Sequence, residues 1–233
     1  MEKKVLGIIG GVGPLATMLL GEMIVKRTKA KTDQQHISMV ITNNTNIPDR
    51  TTYILDRSKE NPVPVMISDA DKLKSIGAEV LAVPCNTAHS FYHDIQQGAD
   101  IPMVHMINET AKRASQVGAK RVGILATTGT LTTAVYQIAC QQVGVQPIVP
   151  DEETQKLVMS VIYDDVKASH PVDFLKWQQI INKMNELGCD HIILGCTELS
   201  IVKRELNLDA TYIDSLMVLA ESSILACGYE LNN

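Results

Sequence analysis

The chain has 233 residues, 45% of them apolar, and a formal net charge of −5. That length suits one large domain or two small ones with a full core, and an acidic balance without a Lys/Arg cluster excludes the electrostatic footprint of a nucleic-acid binder. No apolar run approaches the roughly 18 residues of a membrane span, and five cysteines without a CxxC pair argue against a disulfide framework or a zinc ribbon.

Met1-Glu2-Lys3-Lys4 leads directly into a strand-like run at 5–9, too short for the core of a secretory signal, so a cytoplasmic location is expected. Further short apolar runs at 38–42, 80–83, 122–126 and 191–194 read as buried parallel strands bounded by Gly, Pro or Asn. Between them, helical spacing covers 15–28, 65–76, 109–117, 131–143, 153–167, 174–187 and 216–227. Most of these helices end beside a glycine, as at Gly77, Gly118, Gly144, Gly188 and Gly228. Alternation of strand and helix implies an α/β fold with parallel sheets.

The chain repeats itself. Gly77-Ala78-Glu79-Val80-Leu81-Ala82-Val83-Pro84-Cys85 matches Gly188-Cys189-Asp190-His191-Ile192-Ile193-Leu194-Gly195-Cys196, with the two cysteines 111 residues apart. The segment from Gly7 to Thr17 matches that from Gly123 to Thr133, and His105–Ala111 matches Asp214–Ala220 more weakly. Three pairs in one order imply two pseudo-symmetric lobes, each a parallel-sheet α/β sandwich, with an active site in the cleft between them. The lobes are placed at 1–103 plus 211–233, carrying Cys85, and at 104–210, carrying Cys196.

Both cysteines sit where a strand gives way to a helix, the end of a parallel sheet at which ligands bind. A helix N-terminus can lower a thiol's pKa and its amides can hold a carboxylate. Two such thiols on opposite sides of a substrate suit a proton taken from one face and returned to the other. The bland alternative, a small buried core residue, fits Cys140, Cys189 and Cys227 better than the duplicated pair. Gly10-Gly11-Val12-Gly13-Pro14-Leu15-Ala16 fits a dinucleotide fingerprint only weakly. The next strand ends in Thr42-Asn43-Asn44, without the acidic residue that would hold a ribose. A tight turn admitting a small ligand is the preferred reading. Cys85, His89 and His93 lie four apart; a metal or a Cys–His nucleophile is conceivable, but a partly solvated helix face is favoured. Arg50 and Lys167 are each balanced between holding a ligand and a purely structural place.

Five segments together resemble the aspartate/glutamate racemase family of cofactor-independent, two-cysteine enzymes. They are Gly10-Gly11-Val12-Gly13-Pro14, Ile47-Pro48-Asp49-Arg50-Thr51, Pro84-Cys85-Asn86-Thr87-Ala88-His89, Ile162-Tyr163-Asp164-Asp165-Val166-Lys167 and Gly195-Cys196-Thr197-Glu198-Leu199. Thr197-Glu198 after the second cysteine looks like the aspartate branch. The resemblance implies racemisation of L-aspartate to D-aspartate, with Cys85 and Cys196 as the acid/base pair. It implies that Asn86, Thr87 and Thr197 hold the α-carboxylate, that Arg50 and Lys167 hold the side-chain carboxylate, and that Thr127, Thr128 and Glu198 also belong to the substrate site. Val12 stands where many members carry Met, which bears on the pocket wall. No cofactor, pyridoxal phosphate included, and no metal is called for. The expected partners are a dicarboxylic amino acid and a second copy of the chain in a homodimer, with neither nucleic acid nor membrane. A racemase of glutamate or of a wider amino-acid range, a maleate isomerase or malonate decarboxylase of the same superfold, and a silent dicarboxylate-binding protein are the alternatives.

Overall fold

The computed structural model describes residues 2–232. The chain divides into two units, Met1–Met106 with Leu216–Asn233, and Ile107–Ser215.

The first unit runs β1 (Leu6–Gly10), α1 (Pro14–Arg27), β2 (Met39–Asn43), α2 (Arg50–Leu55), α3 (Val63–Ser75), β3 (Val80–Ala82) and α4 (Tyr92–Ala99). Its sheet has the order β2-β1-β3, all parallel, with Leu6 opposite both Met39 and Val80. An isolated parallel bridge from Leu81 to Met103 continues the sheet beyond β3. Helix α5 (Met106–Gln116) then leads into the second unit. That unit continues with β4 (Arg121–Ala126), α6 (Thr128–Thr132), α7 (Val135–Gln142), β5 (Gln146–Ile148), α8 (Glu152–Ser160), α9 (Phe174–Glu186), β6 (His191–Gly195), α10 (Thr197–Glu205) and β7 (Tyr212–Asp214). Its sheet is again parallel, in the order β5-β4-β6-β7. The last helix, α11 (Ser215–Ala226), returns to the first unit.

The sequence repeat is thus a topological repeat. In each unit the first strand is central, the second pairs on one side and the third on the other. The helices preceding the third strands also stop alike. Gly77 (φ +99) and Gly188 (φ +76) adopt the left-handed conformation that glycine enters at least cost. Ala78 and Cys189 then donate back to Leu73 and Met184 carbonyls at 3.0 and 3.2 Å.

α11 is fastened to the first unit by polar contacts as well as by burial of Leu216, Leu219, Ala220 and Ile224. Arg27, at the end of α1, donates twice to Glu221 Oε1, from Nε at 3.0 Å and from Nη2 at 2.7 Å. The following chain pairs with Thr28 through Leu231.

The expected helix at 131–143 is two helices, because Ala134 turns left-handed (φ +54) between α6 and α7. The expected helix at 153–167 is α8 followed by a π-helical turn, Val161–Lys167. Two strands were not anticipated. β5 and β7 are three-residue edge strands, and Pro147 in β5 is tolerated because an edge strand leaves one side unpaired. Among the described residues no helix is long and apolar enough to cross a membrane.

Candidate active site

Each cysteine follows the third strand of its unit. In the first unit β3 ends at Ala82 and the chain turns through Val83-Pro84, so that the Cys85 amide donates to the Val83 carbonyl at 2.8 Å. Cys85 is buried, as are Asn86 and Thr87 beside it. Val12 belongs to the same apolar cluster as Cys85, together with Ile9, Ile47 and Phe91. Arg50 is half-buried at the start of α2, whose N-terminus is capped by Asp49 accepting from the Thr52 amide at 2.7 Å. Its guanidinium donates to the Ile47 and Pro48 carbonyls at 3.3 and 3.1 Å, which holds it to its own loop.

One expectation changes here. His89 is buried at 3% exposure, not on a solvated helix face, because residues Thr87–Phe91 form a 3-10 turn that rolls it inward; His93 is the exposed member of the pair. His89 Nδ1 lies 2.9 Å from the Cys85 carbonyl and Nε2 lies 3.4 Å from that of Val104. Burial holds its pKa below the usual imidazole value against the pull of these carbonyls, so the neutral ring pins the Cys85 backbone. No metal-holding cluster of His, Cys, Asp and Glu occurs among the described residues. The glycine turn packs closely on the protein's own chain. A Cβ on Gly10 would meet Thr17 Cγ2 and the Thr42 carbonyl at 2.3 Å, and one on Gly11 (φ +88) would meet the Asn44 backbone at 2.4 Å.

In the second unit Cys196 is the N-cap residue of α10, but its thiol makes no capping bond to the helix. It donates instead to Glu198 Oε2 at 2.9 Å. The Thr197 hydroxyl donates to the same oxygen at 3.3 Å, and the Lys167 ammonium pairs with Oε1 at 2.7 Å. The π-helical turn brings Lys167 to this place, since its wider winding re-aims the residues after it. The turn is itself anchored by buried Asp165, paired with Lys176 at 2.7 Å.

The thiol is therefore not the low-pKa group that its place at a helix N-terminus suggested: the Glu198 amide there pulls its pKa down but is outweighed. Burial pushes the Cys196 pKa well above the ordinary thiol value, the adjacent Glu198 carboxylate pushes it further, and Lys167 offsets only part of this. Glu198 goes the other way. Burial alone would raise it, but the Lys167 charge and the hydrogen bonds from Cys196 and Lys167 bring it below the usual carboxylate value. At neutral pH the line reads thiol, carboxylate, ammonium.

Thr127 caps α6 by accepting from the Thr130 amide at 3.3 Å. Thr128 receives a long 3.4 Å bond from Gln155, whose amide also donates to the Ala126 carbonyl at 2.9 Å. Of the expected site residues, Lys167, Cys196, Thr197 and Glu198 form one bonded group, and Cys85, Asn86 and Thr87 form one buried turn. His89 was missed as part of the latter; its spacing from Cys85 was the available signal.

The profile of the Asp/Glu/hydantoin racemase family matches residues 9–222. The chain belongs to this family. It is an isomerase of the racemase class. It is 29% identical over 226 residues, 94% of this chain and 96% of the relative, to the broad-specificity amino-acid racemase RacX of Bacillus subtilis. Among solved structures it is similar to an aspartate racemase from Picrophilus torridus, with TM-score 0.82, 29% identity and coverage of 98% of this chain and 96% of that one. The fold alone is shared with glutamate racemase of Francisella tularensis, with TM-score 0.67, 16% identity and coverage of 97% and 82%.

Proposed function

We propose that the chain interconverts L- and D-aspartate by two-base proton transfer, without pyridoxal phosphate. The observation that carries this reading is a thiol at the end of the same strand in two topologically repeated units, one of them bonded to a carboxylate–ammonium pair. In the proposed scheme one sulfur, as thiolate, removes the Cα proton and the other, as thiol, returns a proton to the opposite face. Cys85 and Cys196 exchange roles with the direction of reaction. Asn86, Thr87, Thr197 and adjacent amides hold the α-carboxylate. Arg50 and Lys167 receive the side-chain carboxylate, while Val12, Thr127 and Thr128 shape the site. Charge developing at Cα is met by fixed amides and cations in a dry environment.

One observation favours a second reading, a racemase of wider amino-acid range. Lys167 is already paired with Glu198 at 2.7 Å, so this cation does not stand ready for a substrate carboxylate. RacX, to which the chain is similar, is named as a broad-specificity enzyme.

Incubating the protein with L- and D-aspartate in D₂O separates these readings. Cα deuteration with convergence to a racemate from both sides supports the aspartate enzyme. Exchange of neutral or basic amino acids in its place supports the wider one.

A further inference from the structure

One carboxylate serves two masters in the second unit. Glu198 accepts the Cys196 thiol on Oε2 at 2.9 Å and the Lys167 ammonium on Oε1 at 2.7 Å. The Lys167 side chain is 32% exposed and that of Glu198 7%, so the cation is the member a solute reaches. The other charged groups of these elements are engaged elsewhere or point away. On the π-helical turn, Asp165 pairs with Lys176 and Asp164 accepts from Ser160 at 2.8 Å, while the Tyr163 ring centre lies 5.4 Å from Lys167 Nζ. On α10, Lys203 donates to the Asp209 and Tyr212 carbonyls, and Arg204 and Glu205 are exposed at the far end. On β7, Asp214 accepts from Ser200 at 2.6 Å.

We propose that the Lys167–Glu198 pair is a substrate-operated switch on Cys196: an anionic substrate group draws the Lys167 ammonium away, and the released Glu198 carboxylate takes the Cys196 proton. The proposal rests on the reading of Cys196 as one of two acid/base groups. In the transfer the S–H bond breaks and an O–H bond forms on Glu198, so negative charge passes from carboxylate to sulfur and no other reactant is consumed. The thiolate then removes the Cα proton and is a thiol again, while Cys85 has given a proton to the substrate. After product release Glu198 loses its proton to solvent, Cys85 regains one from solvent, and Lys167 returns. The other enantiomer runs the same steps backwards, entering on the form with Cys85 a thiolate, Cys196 a thiol and Glu198 protonated, and leaving Glu198 to return its proton to Cys196.

The direction follows from what each group loses. Glu198 is held ionised by both the charge and the hydrogen bond of Lys167, whereas Cys196 feels the charge only. Removing Lys167 raises the proton affinity of Glu198 more than that of Cys196, and burial already favours a neutral carboxyl. The gap between the two narrows. Glu198 is on this account a positioning residue acting through Cys196, and Lys167 determines specificity: an anionic side chain raises kcat as well as lowering KM.

Succinate is a suitable probe, having two carboxylates but no amino group and no stereocentre. The iodoacetamide alkylation rate of Cys196 in Cys85→Ala, followed by mass spectrometry on the peptide that carries it, is proportional to its thiolate fraction and isolates Cys196. Saturating succinate at neutral pH is expected to raise the Cys196 thiolate-to-thiol ratio about tenfold, the equivalent of one pKa unit. Adding Glu198→Gln, which cannot take the proton, is expected to abolish the gain. An unchanged ratio, a gain that survives Glu198→Gln, or a failure of succinate to bind by calorimetry overturns the switch. Kinetics on Lys167→Met give an independent reading. The kcat of aspartate exchange relative to alanine exchange should fall toward one, and a change confined to KM leaves Lys167 a binding residue only. Wild-type exchange of aspartate with no thiolate response removes the switch and keeps the racemase. A thiolate response with no Cα exchange of any amino acid does the reverse.

Discussion

Lys167→Met tests the electrostatic account of the second unit through its stability. At neutral pH Glu198 is buried and ionised, and Lys167 is its counter-ion at 2.7 Å. Exposed pairs contribute about 0.2–1 kcal/mol, whereas stripping one partner from a fully buried pair costs about 3–5 kcal/mol. With the lysine 32% exposed and the glutamate 7%, the loss belongs between these limits, at about 1–3 kcal/mol. Trp177, the sole tryptophan, is buried on α9 in the same unit and reports its unfolding. At a urea slope of about 2 kcal/mol per molar, the midpoint should fall by about 0.5–1.5 M. The loss must also depend on pH in one sense. The folded pKa of Glu198 lies below its ordinary 4.5, so the stabilisation it brings is complete above 4.5 and disappears as pH falls through the folded value. In Lys167→Met only the hydrogen bonds that Glu198 accepts still oppose the effect of burial, and Glu198 accepts its proton at higher pH. The difference between wild type and variant should therefore be largest at neutral pH and shrink in acid, once Glu198 is neutral in both. A midpoint shift of the same size in acid as at neutrality would refute an ion-pair origin and leave packing of the lysine stem as the cause.

Cys85→Ala and Cys196→Ala should each abolish Cα-proton exchange while leaving the circular dichroism spectrum unchanged; full activity in either variant sinks the two-base scheme. Asp165→Ala leaves Lys176, with a side chain only 17% exposed, without its counter-ion, and should destabilise the second unit by about 3 kcal/mol in the same Trp177 assay. Gly11→Ala forces a side chain into a left-handed conformation and to within 2.4 Å of the Asn44 backbone. Its cost should exceed about 2 kcal/mol, seen as a lowered melting temperature. His89→Ala removes the ring whose Nδ1 lies 2.9 Å from the Cys85 carbonyl. It should slow exchange while the acid dependence of stability contributed by the Lys167–Glu198 pair stays as in wild type, because the two features lie in different units.

By itself the sequence determined the class of fold and the places of the two thiols. Alternating short apolar runs and helical periods mark β1, β2, β3, β4 and β6 to within a residue or so, because a buried parallel strand must be apolar on both faces. β2, at the sheet edge, is half-buried rather than buried as expected. Gly77 and Gly188 mark helix ends because a left-handed turn excludes most other residues. The 111-residue spacing of the cysteines is a covalent fact that any repeat of the fold must respect. β5 and β7 escaped notice because three residues are too few for a periodic signal, and their existence depends on β4 and β6 offering free edges. The break at Ala134 and the π-helical turn that ends at Lys167 lack a glycine or proline to announce them.

The state of the site was decided by tertiary structure alone. A cysteine heading a helix in sequence could be a thiolate held by backbone amides. Folding instead buries Cys196 and turns it toward Glu198, two residues along, and brings Lys167 from 31 residues away to the same carboxylate. Proton affinity depends on burial and on charges within a few ångströms, and neither distance in space nor loss of solvent is written in residue order. The same holds for His89, whose spacing allowed a solvated face or a buried tie. The 3-10 turn and two facing carbonyls made it the tie.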